Sequence, residues 1–352
     1  MPRADRRLVV DCSGVGPGGI TRVMTELVRH WPDGHRLELV AAPATWEIPA
    51  GTGAAVAVLS RQAPSPHTLG RERTVAAATV ALRWATAGAG TETRVLSLSP
   101  SLAVLGSRAP VTTIVHDLAF RLWPNGLSKA QLRYRRASYA AAIRRSERLL
   151  CVSARTRHDL LGLYGIDDRA RVWHPGSDLV EPGRLPDGLA DVSGDYLVVP
   201  GHAAHKGVEL AIEALADLSR YVLVVLTGGA VVESFRRAAR SGAADRIIFL
   251  DRLSDPEYAA TVAGAAAFLM PSHFEGYGLP AAEAVRLGTP TVISPDPALH
   301  EATGGAAIRM DSWTATALTR ALRRIDRSAP PGAVAGRSWR AATQDLAVRL
   351  AR

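Results

Sequence analysis

Short apolar runs alternate along this chain with stretches in which apolar residues recur every three or four positions. The first run, 7–11, has the length of a strand; Ile20, Val23, Met24, Leu27 and Val28 then mark one face of a helix that stops at Trp31-Pro32. Strand-like runs follow at 36–42, 55–59, 94–97 and 111–115, with an Ala-rich helical stretch over about 74–87. A helix is predicted over 128–147 and a strand over 148–152, and Ser153 is placed to cap a helix ending near Tyr164-Gly165. From 179 to 193 proline, glycine and aspartate displace any sustained period, which is linker composition. The alternation then restarts, with strands at 196–200, 221–227, 246–250, 265–270 and 291–294 and helices at 208–218, 231–241, 254–262 and 279–288. Ser254 with Glu257 supplies a capping box for the third of these helices. A last helix begins at Ser338-Trp339. Such alternation predicts an α/β protein with parallel sheets covered on both faces. The break divides it into an N-terminal domain over 1–178, a linker over 179–194, a second domain over 195–335 and a terminal helix over 336–352.

One stretch carries most of the chemistry: Pro271-Ser272-His273-Phe274-Glu275-Gly276-Tyr277-Gly278-Leu279-Pro280, continuing through Glu283 to Gly288-Thr289-Pro290. Here a loop with two glycines joins a buried strand to a helix with Pro in its first turn and Gly past its last. Gly276 and Gly278 let the backbone come close to a ligand, and the helix start behind them suits a phosphate. Glu275 and Glu283 frame that anion site. Carboxylates repel phosphate, so their natural task is to accept hydrogen bonds from hydroxyls. A ligand with phosphates between hydroxyl-rich rings is a nucleotide-sugar. Near the N-terminus, Gly14, Gly16 and Gly19 satisfy the spacing of a dinucleotide fingerprint. The acid that fingerprint needs about 20 residues later is missing, because Glu38 falls in the middle of the second strand rather than at its end. A dehydrogenase reading therefore fails.

Glu-Gly-Tyr-Gly-Leu-Pro-Ala-Ala-Glu-Ala, closed by Gly-Thr-Pro, resembles the two-glutamate signature of the family-4 retaining glycosyltransferases, mannosyltransferase-like branch. The resemblance implies the GT-B fold, two Rossmann-like α/β/α domains whose parallel sheets face across a cleft, with a C-terminal helix crossing back to the first domain. It implies that Glu275 contacts the donor sugar and Glu283 the nucleotide ribose, with Gly276, Tyr277, Gly278 and Leu279 beside the donor. Gly18, Gly19 and Arg22 match the family's first loop, which faces the donor phosphates, with Arg22 toward the acceptor side. His116-Asp117-Leu118, after the fifth strand, is similar to the segment lining the sugars, with His116 catalytic and Asp117 on the acceptor side; read alone, His116 would bond a backbone carbonyl. Gly201-His202-Ala203-Ala204-His205-Lys206-Gly207 is similar to the phosphate clamp, which usually carries an Arg and a Lys. Lys206 matches, and His202 lies nearest the place of the missing Arg. A histidine there is charged only near or below its reference pKa of about 6.5 unless an anion raises it.

The expected activity is a metal-independent retaining hexosyl transfer from a GDP- or UDP-linked sugar to a hydroxyl acceptor: a glycan, a lipid-linked saccharide or a small natural product. No Asp-x-Asp motif occurs, so no metal site and no cofactor besides the donor are assigned. Two alternatives stay open, a catalytically silent nucleotide-sugar-binding subunit and a GT-B sugar-nucleotide epimerase. Composition changes this picture little. At 352 residues, 47% hydrophobic and 21% charged, the chain reads as a soluble two-domain protein with ample core. The net charge of +9 is nearly all arginine and fits a GC-rich genome, so no nucleic-acid partner is assigned. Lysine occurs only at Lys129 and Lys206, which sets Lys206 apart from background. Arg133, Arg136 and Arg144, with Arg148 just past the end, give the helix over 128–147 a basic face, read either as solvated or, by the resemblance, as a peripheral contact with the inner membrane face. No apolar run nears the ~18 residues of a membrane span, and the apolar start is too short for a secretory leader, so a cytoplasmic location is expected. Cys12 and Cys151 each close an apolar run and read as buried free thiols.

Overall fold

Alternate residues of the central strands face opposite ways, and in this protein both directions lead into a core. The computed structural model describes residues 6–351 except 17, 64–67, 91, 126, 167, 191, 193–194, 229–243 and 326–335. These residues divide into two compact units, 1–176 with 337–352 and 177–336. The first is built on β1 (Arg6–Asp11), β2 (His35–Val40), β3 (Ala55–Val58), β4 (Arg94–Ser97), β5 (Val111–Val115), β6 (Arg148–Cys151) and β7 (Ala170–Val172). The second is built on β8 (Tyr196–Pro200), β9 (Val222–Leu226), β10 (Ile247–Leu250), β11 (Ala267–Met270), β12 (Thr291–Ile293) and β13 (Ile308–Arg309). The strand orders are β3-β2-β1-β4-β5-β6-β7 and β10-β9-β8-β11-β12-β13, and every pairing is parallel.

In the second sheet Leu197, Val199, Leu223, Val225, Ala267 and Leu269 enter one hydrophobic cluster. Their neighbours Tyr196, Val198, Val224, Leu226, Phe268 and Met270 enter another on the opposite face. Burial on both faces is why these strands read as unbroken apolar runs rather than as alternating ones. Helices supply the covering layers. Lys129–Arg145 starts at a Ser128 capping box closed by Gln131, and Ala154–Tyr164 runs from Ser153 to Gly165 at φ +65°. Asp255–Ala263 carries the Ser254–Glu257 box, with Pro in its first turn. Leu279–Arg286 begins after Gly278.

Several elements differ from the sequence reading. The Ala-rich helix spans Thr68–Ala85, beginning earlier because its first turns are polar and carry no apolar period. The helix expected over 208–218 is α-helical only for Val208–Ala214 and tightens into a 3₁₀ turn at Leu215–Asp217. The segment read as linker carries a short helix, Asp187–Ala190, and its Leu189 is buried in the core of the second unit. A helix over Ala315–Arg323, capped by Thr314, is additional to the elements that the sequence pattern predicts. The helix expected over 231–241 lies outside the described residues. The terminal helix Trp339–Ala351 belongs to the first unit: Ala342 O accepts from Trp173 Nε1 at 3.0 Å, and Val172 O accepts from Arg349 Nη1 at 3.2 Å. Among the described residues no helix is long and apolar enough to cross a membrane.

Candidate functional site

In each sheet the chain fills one direction from the centre and then the other, which creates a switch point between two neighbouring strands whose onward connections lead to opposite edges of the sheet. Ligand crevices of open α/β sheets form at the carboxyl ends of such strands. In the second unit the pair is β8 and β11. The loop after β8 carries His202 and Lys206, and the loop after β11 is the two-glutamate stretch. The sequence patterns found far apart thus lie side by side.

Gly207 makes that proximity possible. It sits at φ +66°, and a Cβ there would lie 2.3 Å from the Pro271 carbonyl oxygen, so only glycine lets one loop cross directly over the other. His273 N–H seals the crossing by donating to His205 O at 2.7 Å. Lys206 Nζ then donates to Glu275 Oε1 at 2.7 Å, with the two residues only 5% and 7% exposed. Burial alone would raise the Glu275 carboxyl; the charge of Lys206 and its hydrogen bond outweigh burial and hold it below the usual carboxylate range. Asp296, also buried, accepts the Glu275 backbone N–H through Oδ2 at 3.1 Å and caps the helix Pro297–Ala302 through Oδ1 on Ala298 N–H at 2.8 Å. Trp313 Nε1 donates to Ser272 O at 2.9 Å. The two-glutamate stretch is therefore held by side chains on three other segments.

Gly278 occupies the N-cap of Leu279–Arg286 at φ +104°, and with no side chain it leaves the first N–H groups of that helix without a side-chain cap. Those groups and the positive dipole end suit an anion. Glu283 lies on the same helix at 2% exposure and accepts at Oε2 from the Tyr258 hydroxyl at 3.0 Å. His202 departs from the clamp reading. Its surface is exposed, yet crowding by the protein, followed by repulsion from Lys206, pushes its pKa down to about 4, with Glu275 opposing. It is neutral at neutral pH. It can donate through a ring N–H, but it adds no positive charge where the family pattern has an arginine.

The first unit repeats the arrangement at β1 and β4. Asp11, buried at the end of β1, accepts from Ser13 N–H at 3.0 Å and from Ser97 Oγ at 2.8 Å; burial raises its carboxyl despite these bonds. Gln62 Nε2 donates to the carbonyls of Cys12 and Val15 at 2.9 Å, fixing the glycine loop from the other side. Gly18, at φ +111°, precedes the helix Gly19–Arg29, and Arg22 N–H donates to Gly18 O at 3.2 Å. His116 follows β5 and bonds the Leu98 carbonyl through Nε2 at 2.7 Å. Burial lowers its pKa, so the ring is a neutral tautomer that donates from Nε2 and keeps an acceptor lone pair on Nδ1. The carboxylate of Asp117 accepts from Ala119 N–H at 2.8 Å, and its carbonyl accepts from Tyr139 OH at 2.7 Å. Both cysteines are free and buried.

Tyr258, Asp296 and Trp313 were not singled out from the sequence. Tyr258 immediately follows a capping-box glutamate, and Asp296-Pro297 is a helix-start signal, so two of the three had a legible local cue. Among the described residues no group of three or more His, Cys, Asp or Glu side chains is arranged to hold a metal ion.

Residues 17–181 match the family described as Glycosyltransferase Family 4, and residues 194–326 match that described as Glycosyl transferases group 1. A D-inositol 3-phosphate glycosyltransferase of Frankia alni is 34% identical over 169 residues, covering 42% of this chain and 42% of the relative. The MMP alpha-(1→4)-mannosyltransferase of Mycolicibacterium hassiacum is 31% identical over 163 residues, 44% of this chain and 39% of the relative. The chain thus spans about two-fifths of the length of these curated relatives. Among solved structures, Anabaena HepE in complex with UDP and glucose superposes with TM-score 0.68 at 18% identity, covering 98% of this chain and 95% of that one. WaaG, a glycosyltransferase involved in lipopolysaccharide biosynthesis, superposes with TM-score 0.65 at 18% identity and the same coverage.

Proposed function

The chain belongs to the family-4, group-1 glycosyltransferases of GT-B fold, and from that premise we propose that it moves a hexose-type sugar from a nucleoside diphosphate to a hydroxyl acceptor, with retention and without a metal ion. The observation that carries this reading is the buried Lys206–Glu275 pair beside an uncapped helix start. Lys206 and the Gly278-flanked amides bring positive potential to a leaving diphosphate, a preorganised electrostatic role that a metal ion fills in other enzymes. Glu275, held ionised, accepts from sugar hydroxyls, and Glu283 accepts from the ribose. The neutral His116 offers Nδ1 as an acceptor toward the sugar, and Asp117 and Arg22 serve the acceptor side. In the retaining step the acceptor oxygen bonds to the anomeric carbon as the sugar–phosphate bond breaks on the same face. The acceptor proton passes to the departing phosphate oxygen, so no dedicated base is required. The names of the relatives support sugar transfer, and the UDP and glucose bound by HepE support a nucleotide-linked donor.

The test is transfer and slow donor hydrolysis with a panel of UDP- and GDP-sugars, with and without chelator. Activity should survive chelation, and Lys206→Ala should lower turnover about a hundredfold or more, from the loss of roughly 3 kcal/mol of transition-state stabilisation. Unchanged turnover in the variant would reject the phosphate role of Lys206. Donor conversion to an epimer without acceptor would replace the transferase reading with an isomerase.

A further inference from the structure

Glu275 is steadied by a cation, but Glu283 is approached by a phenol. Tyr258 stands one residue beyond the Ser254–Glu257 capping box, and its N–H bonds Ser254 O at 2.9 Å, so its place on the helix is fixed at the first turn. The far end of that helix is tied down as well. Thr261 O accepts from Tyr196 OH on β8 at 3.0 Å, and Val262 O accepts from Thr289 Oγ1, just past the signature helix, at 2.9 Å. The ring packs against the same cluster as Ala281 and Ala284. From this anchored position the hydroxyl donates to Glu283 Oε2 at 3.0 Å.

We propose that Tyr258 is the positioning residue that turns the Glu283 carboxylate for a ribose hydroxyl, and so sets a preference for ribonucleotides over deoxyribonucleotides. The inference rests on the ribose role of Glu283 given above. A carboxylate at the end of a glutamate side chain rotates readily unless one oxygen is held. A phenol that donates to Oε2 holds that oxygen and fixes the plane of the other, so a ribose hydroxyl meets an acceptor already oriented. Orienting a polar group that contacts the ligand is how outer partners of a binding site tune affinity and selectivity.

Titration calorimetry of the full chain with UDP and GDP, each also in its 2′-deoxy and 3′-deoxy form, reads this directly. The wild type should favour one ribonucleotide over its deoxy analogue by about tenfold or more. Tyr258→Phe, which keeps the ring, should weaken that ribonucleotide about tenfold, leave the deoxy analogue unchanged and bring the ratio toward one. With donor saturating, kcat should be retained while KM rises. A variant that keeps the wild-type ratio overturns the proposal, and so does one that loses both ligands equally, which would mean a displaced helix. A wild type with no ribose preference removes the ribose role of Glu283 itself, leaving the Lys206 test untouched.

Discussion

A lysine and a glutamate 69 positions apart form a buried ion pair where the family pattern assigns each to a different part of one ligand. The pair offsets much of the cost of burying each charge, since each partly compensates the desolvation of the other. It also means that removing either partner leaves a buried charge without its mate. The neighbouring His202 shows how much a residue's surroundings alter its role. Its type and place suggest a pH-dependent cation, but crowding and Lys206 keep it neutral down to about pH 4. The unfolded chain would bind a proton near pH 6.5. Between those values the unfolded state holds more protons than the folded one, so His202 makes stability fall as pH drops from about 6.5 to about 4. Glu275, depressed, adds its own loss only at lower pH, and the raised Asp11 works in the opposite direction. Urea midpoints at pH 7 and pH 5 for wild type and His202→Gln isolate the histidine. The variant should lose less stability between the two pH values, and equal losses would contradict the neutral ring. Residue identities at the site were legible because glycine, glutamate and a rare lysine stand out in this composition. The pairing of Lys206 with Glu275 was not, because no spacing encodes a contact between two loops.

Elements bounded by strong local chemistry were read well. Ser153, the Ser254–Glu257 box and the glycines at 165 and 278 mark helix ends at positions that only polar caps or positive φ satisfy. The helix Ala315–Arg323 carries a weaker local signal: Ala315, Leu318 and Leu322, with Ala317 and Ala321, recur at helical spacing behind Thr314. The strands β7 and β13, of three and two residues, exist because a neighbour offers hydrogen bonds, and runs that short carry no period. Gly278 is where an element and the site depend on the same atom. An added Cβ would lie 2.4 Å from Leu299 Cδ2, and Leu299 is fully buried in a helix fixed by Asp296. Gly278→Ala combines left-handed strain of about 1–2 kcal/mol with overpacking of about 1–3 kcal/mol. Thermal melting of the variant should therefore show a destabilisation of roughly 2–5 kcal/mol, and calorimetry should show loss of the proposed nucleotide binding as the helix start shifts. A variant that melts and binds like the wild type would show that the loop relaxes around the methyl group.

At the scale of the whole chain, periodicity predicted two covered parallel sheets but not the order of strands within them. That order places the loops after β8 and β11 together, and likewise those after β1 and β4, because right-handed crossovers run outward from each sheet's centre in both directions. The terminal helix shows the same non-local logic. It joins the first unit although 160 residues of the second unit, 177–336, intervene in sequence. Trp339 is 1% exposed, and its backbone lies so close to Gly176 that a Cβ there would come within 2.4 Å of it. Truncating that indole should cost the first unit about 3–5 kcal/mol, the usual range for a buried aromatic replaced by alanine. Six of the seven tryptophans lie in the first unit, at 31, 46, 84, 123, 173 and 339, leaving Trp313 in the second. Tryptophan fluorescence during urea unfolding therefore reports mainly on the first unit, while circular dichroism reports on both. In Trp339→Ala the fluorescence transition should move to lower urea and separate from the later part of the dichroism transition, because the second unit keeps its own two hydrophobic clusters. Transitions that shift together would mean that the two units unfold as one cooperative body, and the terminal helix would then be a determinant of the stability of the whole chain.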